Sequence, residues 1–303
     1  MKDLVVQQGL MPCGGFPAVL GHEGAGVIRQ VGRSVQNKSL KEGDQVFLSF
    51  RTCQACEPCA AGMKGACVHT TDYNFIRSRL DTAQASPISL PDGKAVHGQF
   101  FGQSSLSKMA VVSERSVVKC EKGVGLEQMG PLAPMGCGYL TGAGTVLNVL
   151  KPDARSSIAI LGMGAVGIAA LMAAKALGVE RVLAVDLVEE KLDLARELGV
   201  SDAVNSLKQP DLANAVREVF PNGADFILDT TGVAKVLQAA LRALAHGGTF
   251  TLVGAMPPDT ELKVNSLDFL TGCKKIIGVI EAWSDPQTVC LYEMSLQDGS
   301  GLF

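Results

Sequence analysis

Ser156-Ser157-Ile158-Ala159-Ile160-Leu161-Gly162-Met163-Gly164-Ala165-Val166-Gly167 decides how the second half of this chain folds. An apolar strand runs into a G-x-G-x-x-G turn, and Ala165–Leu177 then reads as a helix. The first glycine permits the tight turn and the second lets backbone approach a pyrophosphate. The third lets helix and strand pack closely. The helix N-terminus offers free N–H groups and a positive dipole end to an anion. Gly162, Gly164 and Gly167 are therefore candidate dinucleotide contacts.

Working outward, the same rhythm continues. Arg181–Asp186 reads as a strand, Val188–Leu198 as a helix, Ala224–Asp229 as a strand, Ala234–Leu244 as a helix and Gly248–Val253 as a strand. Alternating strands and helices imply a parallel sheet covered on both faces, a Rossmann doubly wound fold. Asp186 ends the second strand, where a carboxylate can accept hydrogen bonds from the ribose hydroxyls of NAD and repel the extra phosphate of NADP. The alternative is an Asp that caps the next helix.

Upstream of this region the chain is rich in Gly, Val and turn signals. The runs Gly26–Val31, Asp44–Phe50 and Lys108–Lys119 read as strands of a β-rich domain, and Asp72–Gly98 as an irregular loop. Within it, Cys53, Cys56, Cys59 and Cys67 form C-x2-C-x2-C-x7-C. Four thiolates at these gaps complete a tetrahedral shell for Zn²⁺ and leave no open position, which makes such a site structural. Disulfides require an oxidising compartment, and an iron–sulfur cluster is the other user of cysteine runs.

With 303 residues, two domains are expected. A composition of 47% hydrophobic and 19% charged residues fits an ordinary globular protein. A net charge of −3 makes no electrostatic case for nucleic acid or an anionic membrane. The uncharged stretch Ile158–Ala174 is short for a membrane span, and its glycines have turn roles. The N-terminus lacks the pattern of a signal peptide, so a cytoplasmic location is expected. Lys274-Lys275 reads as a solvated strand edge. His69 and His97 read as solvated loop residues, His246 as a helix C-terminus, and Trp283 as packing or surface. Cys120, Cys273 and Cys290 read as free thiols.

Pro17-Ala18-Val19-Leu20-Gly21-His22-Glu23-Gly24-Ala25-Gly26-Val27-Ile28 is similar to the zinc-ligand segment of the zinc-dependent medium-chain alcohol dehydrogenases. The cysteine lobe, Gly136-Cys137-Gly138-Tyr139-Leu140-Thr141-Gly142 and the nucleotide turn follow in that family's order. The segments Gly98–Lys119 and Lys275–Ile280 most resemble its aryl-alcohol branch. The resemblance implies an α/β protein with a β-rich GroES-like domain over 1–139, holding a structural zinc lobe at 53–67. A Rossmann domain over 140–280 follows, with 281–303 as a shortened return toward the first domain.

It further implies that His22 and Cys137 ligate a catalytic zinc, with Glu23 an alternate ligand or a group just behind the metal. Thr141 would contact the nicotinamide end of NAD and Lys191 the adenosine ribose. The implied reaction passes a hydride between a primary alcohol, aromatic in the branch it most resembles, and NAD. The partner is a small alcohol or aldehyde. The strand at Ile276–Ile280 would lie at the sheet edge, where a homodimer or homotetramer could form.

Two departures stand out. The family opens its catalytic segment with a C-x-T-D-like pattern. Asp3 matches the acid, but the cysteine would fall before Met1, and Lys2 stands at the place of the proton-relaying hydroxyl. Cys13 is the upstream cysteine that could substitute. The chain thus looks shortened at both ends. This leaves two rivals to an active dehydrogenase: an impaired NAD- and zinc-binding remnant lacking the first catalytic ligand, and a zinc-free reductase of the same superfamily.

Overall fold

The computed structural model describes residues 2–9, 15–76, 88–120 and 123–287. Cys13, Cys290 and most of the 281–303 segment lie outside these. The chain divides into two compact units. One runs to Leu140 and takes in the segment from Ser284; the other is Thr141–Trp283.

The first unit contains the short helix α1 (Lys2–Gln7), strands β1 (Gly24–Val27) and β2 (Gln45–Leu48), and helix α2 (Glu57–Ala60). Strands β3 (Ile88–Ser89), β4 (Ala95–Val96) and β5 (Val117–Lys119) follow, with helix α3 (Leu126–Leu132). Helix α4 (Gly138–Gly144) then crosses the boundary between the units. β1, β2 and β5 make an antiparallel sheet in that order.

The strands are shorter than their sequence runs. β1 stops at Val27, where Ile28 turns to exchange backbone hydrogen bonds with Asp44 and Gly43. Of Lys108–Lys119 only the last three residues pair, because Met109 and Val111 point to solvent and bury no face. The described residues of the expected loop over 72–98 include regular elements. Thr71–Phe75 forms one wide helical turn, held by the buried Asn74 amide, which donates to the Arg51 and Thr70 carbonyls. The hairpin β3–β4 turns at Asp92-Gly93.

The second unit is a six-stranded parallel sheet in the order β11-β10-β9-β6-β7-β8. Its strands are β6 (Ser157–Leu161), β7 (Arg181–Asp186), β8 (Asp202–Asn205), β9 (Ala224–Asp229), β10 (Leu244–Leu252) and β11 (Lys275–Gly278). Helices α5 (Ala165–Ala176), α6 (Glu189–Glu197), α7 (Leu212–Val219) and α8 (Ala234–Ala240) connect most of them, and α9 (Ser266–Thr271) precedes β11. Sequence runs on both sides of β6 reverse direction, so the β6/β9 junction is the topological switch point where open parallel sheets bind ligands.

β6 is buried along its whole length, as a central strand covered on both faces must be. α5 is rich in alanine, which favours helix and permits close packing. It ends at Gly178, whose left-handed conformation lets Val179 bond back to the Ala174 carbonyl. The apolar core gathers Leu161, Val185, Val216, Phe220, Ile227 and Phe250.

Two readings of side chains are corrected. His246 does not end a helix. α8 stops at Ala240, the chain enters β10 at Leu244, and a register shift before Thr249 accommodates His246 at an exposed irregularity. Lys274 is not solvated. Its side chain is 6% exposed and its ammonium lies 2.9 Å from Asp268 Oδ2, because the turn out of α9 folds the lysine back over that helix.

Candidate metal centres and dinucleotide site

The Cys53, Cys56, Cys59 and Cys67 sulfurs lie within 4.8 Å of one another, all as free thiols. Cys53 and Cys59 Sγ are 3.9 Å apart, and Cys56 and Cys67 Sγ 4.0 Å. Tetrahedral zinc with bonds of about 2.3 Å separates its sulfurs by about 3.8 Å, so the cage fits the ion. Backbone N–H groups of Ala55 and Cys56 donate to Cys53 Sγ, as suits a thiolate. Donors from Val68 and Cys59 lower the Cys56 thiol to about 6, whereas burial pushes Cys59 up to about 12. Four such thiols this close share one cation more easily than they share protons.

A second cluster joins His22, Glu23 and Cys137, again within 4.8 Å. His22 and Cys137 are buried, while Glu23 is exposed. Gly21 makes the entry possible. Its φ is +102°, and a Cβ there would collide with the Leu106 backbone, which pairs with Leu20. The sharp turn delivers His22 against Phe101 and Phe100, with ring centroids 5.0 and 6.0 Å away. The Gln103 amide donates to the His22 carbonyl at 2.9 Å. Asp3 Oδ2 lies 2.6 Å from His22 Nδ1, close but off the line of the N–H bond. Burial alone raises the Asp3 carboxyl, but His22 and the Gly21 N–H outweigh it and hold it below the usual carboxylate range.

Glu23 Oε1 accepts the Gly138 N–H at 3.0 Å, which ties the segment just before β1 to the first turn of α4. One nitrogen, one sulfur and one carboxylate oxygen are three zinc-type donors, leaving room for a fourth position. Sequence reasoning placed these three residues together only through the resemblance. It missed the aromatic wall of Phe75, Phe100 and Phe101, which carries no motif.

In the second unit, the nucleotide turn joins β6 to α5. A Cβ on Gly167 would collide with the Gly162 carbonyl oxygen, and one on Gly162 would press against Thr230. Around Gly164 a Cβ would meet nothing within 4 Å, and the α5 N-terminus has no side-chain cap. An open, uncapped helix start is the cradle a pyrophosphate fills, so the turn fits NAD.

Asp186 Oδ2 accepts the Met163 N–H at 2.7 Å, and Oδ1 accepts the Leu187 and Val188 N–H groups. The N-cap of α6 is Val188, so Asp186 ties the nucleotide turn to the end of β7 rather than capping the helix. Lys191 Nζ lies 3.7 Å from Asp186 Oδ2. Asp229, at the end of β9, is fully buried and accepts from Thr231 and Gly232; burial pushes its carboxyl up. Thr141 is buried in α4, and its hydroxyl donates to Glu281 Oε2 at 3.4 Å.

Among the remaining singled-out residues, His69 is exposed, 4.0 Å from Asp72. His97 keeps its side chain outside while its backbone pairs with Pro17 and Val19. Cys120 is buried and Cys273 exposed, neither in a disulfide among the described residues, and Trp283 is half-buried. No helix among the described residues is long and apolar enough to cross a membrane.

Residues 1–122 match the model of the alcohol dehydrogenase GroES-like domain, and residues 165–289 that of the zinc-binding dehydrogenases. A geraniol dehydrogenase of Castellaniella defragrans is 38% identical over 287 residues, covering 94% of this chain and 74% of that protein. A probable alcohol dehydrogenase of a Pseudomonas species is 36% identical, covering 92% and 86%. Among solved structures, a zinc-binding alcohol dehydrogenase domain protein from Burkholderia ambifaria superposes with a TM-score of 0.89 at 38% identity, over 98% of this chain and 78% of that one. Benzyl alcohol dehydrogenase from Acinetobacter calcoaceticus gives 0.86 at 35% identity, over 99% and 79%. A GroES-like unit with a zinc-type cysteine cage, joined to a Rossmann sheet with a dinucleotide turn, agrees with these likenesses, and the chain belongs to the zinc- and NAD-dependent medium-chain alcohol dehydrogenases, a family of oxidoreductases.

Proposed function

We propose that this protein interconverts a primary alcohol of aromatic or allylic type and its aldehyde, using NAD. The observation that carries the reading is the convergence of the His22, Glu23 and Cys137 ligand atoms within 4.8 Å of one another, with the His22 ring packed against Phe100 and Phe101. The named activities of the geraniol and benzyl alcohol dehydrogenases support this substrate class. The non-catalytic alternative is not favoured by the comparisons, and the paired zinc-type clusters speak against the zinc-free reductase.

When bound, zinc supplies a Lewis acid for the alcohol oxygen, and NAD supplies the hydride acceptor. His22, Glu23 and Cys137 are the residues that would hold the catalytic ion, and the four-cysteine cage the structural one. Asp3, 2.6 Å from His22 Nδ1, occupies that side of the ring and would leave Nε2 as its ligand atom. Phe100 and Phe101, backed by Phe75, shield the buried His22 ring from water, while Glu23 stays exposed. Gly164 and the α5 N-terminus would hold the pyrophosphate, and Asp186 and Lys191 the adenosine ribose. Thr141 would contact the nicotinamide end.

The free cysteine cage suits a reducing compartment, which supports action in the cytoplasm. The edge strand β11 is the surface on which a second copy would pair in a homodimer or homotetramer. The test combines metal analysis with NADH formation from benzyl alcohol and geraniol. Two zinc ions per chain and turnover are expected from the two clusters. A single zinc and no turnover, with NAD still bound, would point to the non-catalytic reading.

A further inference from the structure

Glu281 is an acid in an unusual place. It lies shortly past β11, after Val279 and Ile280, at the carboxyl end of the parallel sheet, and is only 1% exposed. It opens a run of three non-glycine residues with positive φ: Glu281 at +48°, Ala282 at +54° and Trp283 at +52°. One such residue is uncommon, and three in succession persist only where surrounding structure holds them. Here the Trp283 N–H donates to the Ile280 carbonyl, and the Asn148 amide donates to the Ala282 carbonyl. Strain of this kind concentrates at ligand clamps.

The sheet order tells which part of a dinucleotide lies nearby. The nucleotide turn follows β6, and Asp186 on β7 marks the adenosine half. The strands on the other side of the switch point, β9, β10 and β11, underlie the nicotinamide half. Helix α4 confirms the proximity from a second direction. A Cβ on Gly142 would collide with the Val166 carbonyl in the first turn of α5, so Thr141 stands beside the helix that opens at the nucleotide turn. The Thr141 hydroxyl donates to Glu281, which places the carboxylate one hydrogen bond behind it.

We infer that Glu281 makes the dinucleotide site sensitive to oxidation state, favouring NAD⁺ over NADH. This rests on the dinucleotide reading of the site. The oxidised nicotinamide ring carries a positive charge that the reduced ring lacks. A buried carboxylate near that ring attracts the charge through a medium that screens it weakly. Burial of the acid, costly in itself, is offset when the cation arrives. Thr141 positions the carboxylate, and the strained turn prevents it from swinging to solvent.

The test is a pair of binding titrations on the full chain, NADH by its fluorescence and NAD⁺ by calorimetry, for wild type, Glu281→Gln and Glu281→Asp. For Glu281→Gln the Kd for NAD⁺ is expected to rise about tenfold while that for NADH stays within about twofold. Glu281→Asp should keep the wild-type preference. Equal weakening of both forms, or no change in either, overturns the inference while leaving the dinucleotide site intact. If wild type binds neither form, the dinucleotide reading falls and this inference with it. Should Glu281→Gln fail to fold, Glu281→Ser removes the charge in less volume and carries the same expectation.

Discussion

The Asp3 carboxylate bridges Gly21 and His22: Oδ1 accepts the Gly21 N–H at 2.6 Å and Oδ2 stands 2.6 Å from His22 Nδ1. One acid from α1 thus braces both the left-handed turn and the ring that the turn presents. Neutralising it in Asp3→Asn should leave the fold intact and weaken zinc at the His22 cluster about 10- to 100-fold, the usual effect of losing a group that orients a ligand. Competition with a chromogenic chelator measures this. Unchanged affinity at that site would reduce the contact to a structural brace.

The cysteine cage is predicted to bear on stability rather than on turnover of whatever remains folded. Cys67→Ser breaks a four-sulfur set in which each ligand is within 4.8 Å of the others. Zinc content should drop by one ion per chain. Because metal binding is coupled to folding, the melting temperature should fall by roughly 10 °C or more. A chelator strong enough to strip wild type should reproduce the shift. Full zinc content in Cys67→Ser would show that the cage is not the site.

Two glycines of one motif should separate folding from cofactor binding. Gly167→Ala drives a methyl into the Gly162 carbonyl, so α5 must shift, at a cost of about 1–3 kcal/mol. Gly164→Ala meets no atom within 4 Å and has an ordinary φ of −83°. It should melt within a degree or two of wild type yet bind NADH many-fold more weakly, because the methyl occupies the phosphate's approach. Thermal melts and fluorescence titration together decide. Equal NADH affinity in Gly164→Ala would place the pyrophosphate elsewhere.

Acid stability should report on Glu189. Its carboxyl is lowered from 4.5 to about 2 by hydrogen bonds from Lys208, Asn205 and Arg196. A depressed folded-state value means the contribution is complete above the unfolded value and fades as pH falls from about 4.5 toward 2. Glu189→Gln should therefore be less stable than wild type near neutrality, with the gap closing over that window. Denaturant melts across pH 2–6 are the measurement, and a gap independent of pH would assign the loss to packing instead.

Local signals were strong wherever one segment supplies its own evidence. β7 and β9 begin and end where their apolar runs do, and the C-x2-C-x2-C-x7-C spacing brings its sulfurs together without help from the rest of the chain. β8, α7 and α9 escaped notice. Their runs are short, and α7 is recognisable chiefly by Asp211, whose carboxylate caps Asn214. Lys274 and His246 were misread because a neighbour distant by several residues, Asp268 in one case and the β10 register shift in the other, sets their exposure.

By itself the sequence determined the two architectures, the cysteine cage and the nucleotide turn, because each follows from periodicity or spacing within a few tens of residues. Only the tertiary structure decided that Asp3 reaches Gly21 across 18 positions, that Glu23 meets Gly138 across 115, and that Glu281 lies behind Thr141 across 140. Such pairings depend on where loops are carried by the sheets beneath them. A carboxylate's partner is chosen by that placement and by burial, and neither leaves a periodic trace in the chain.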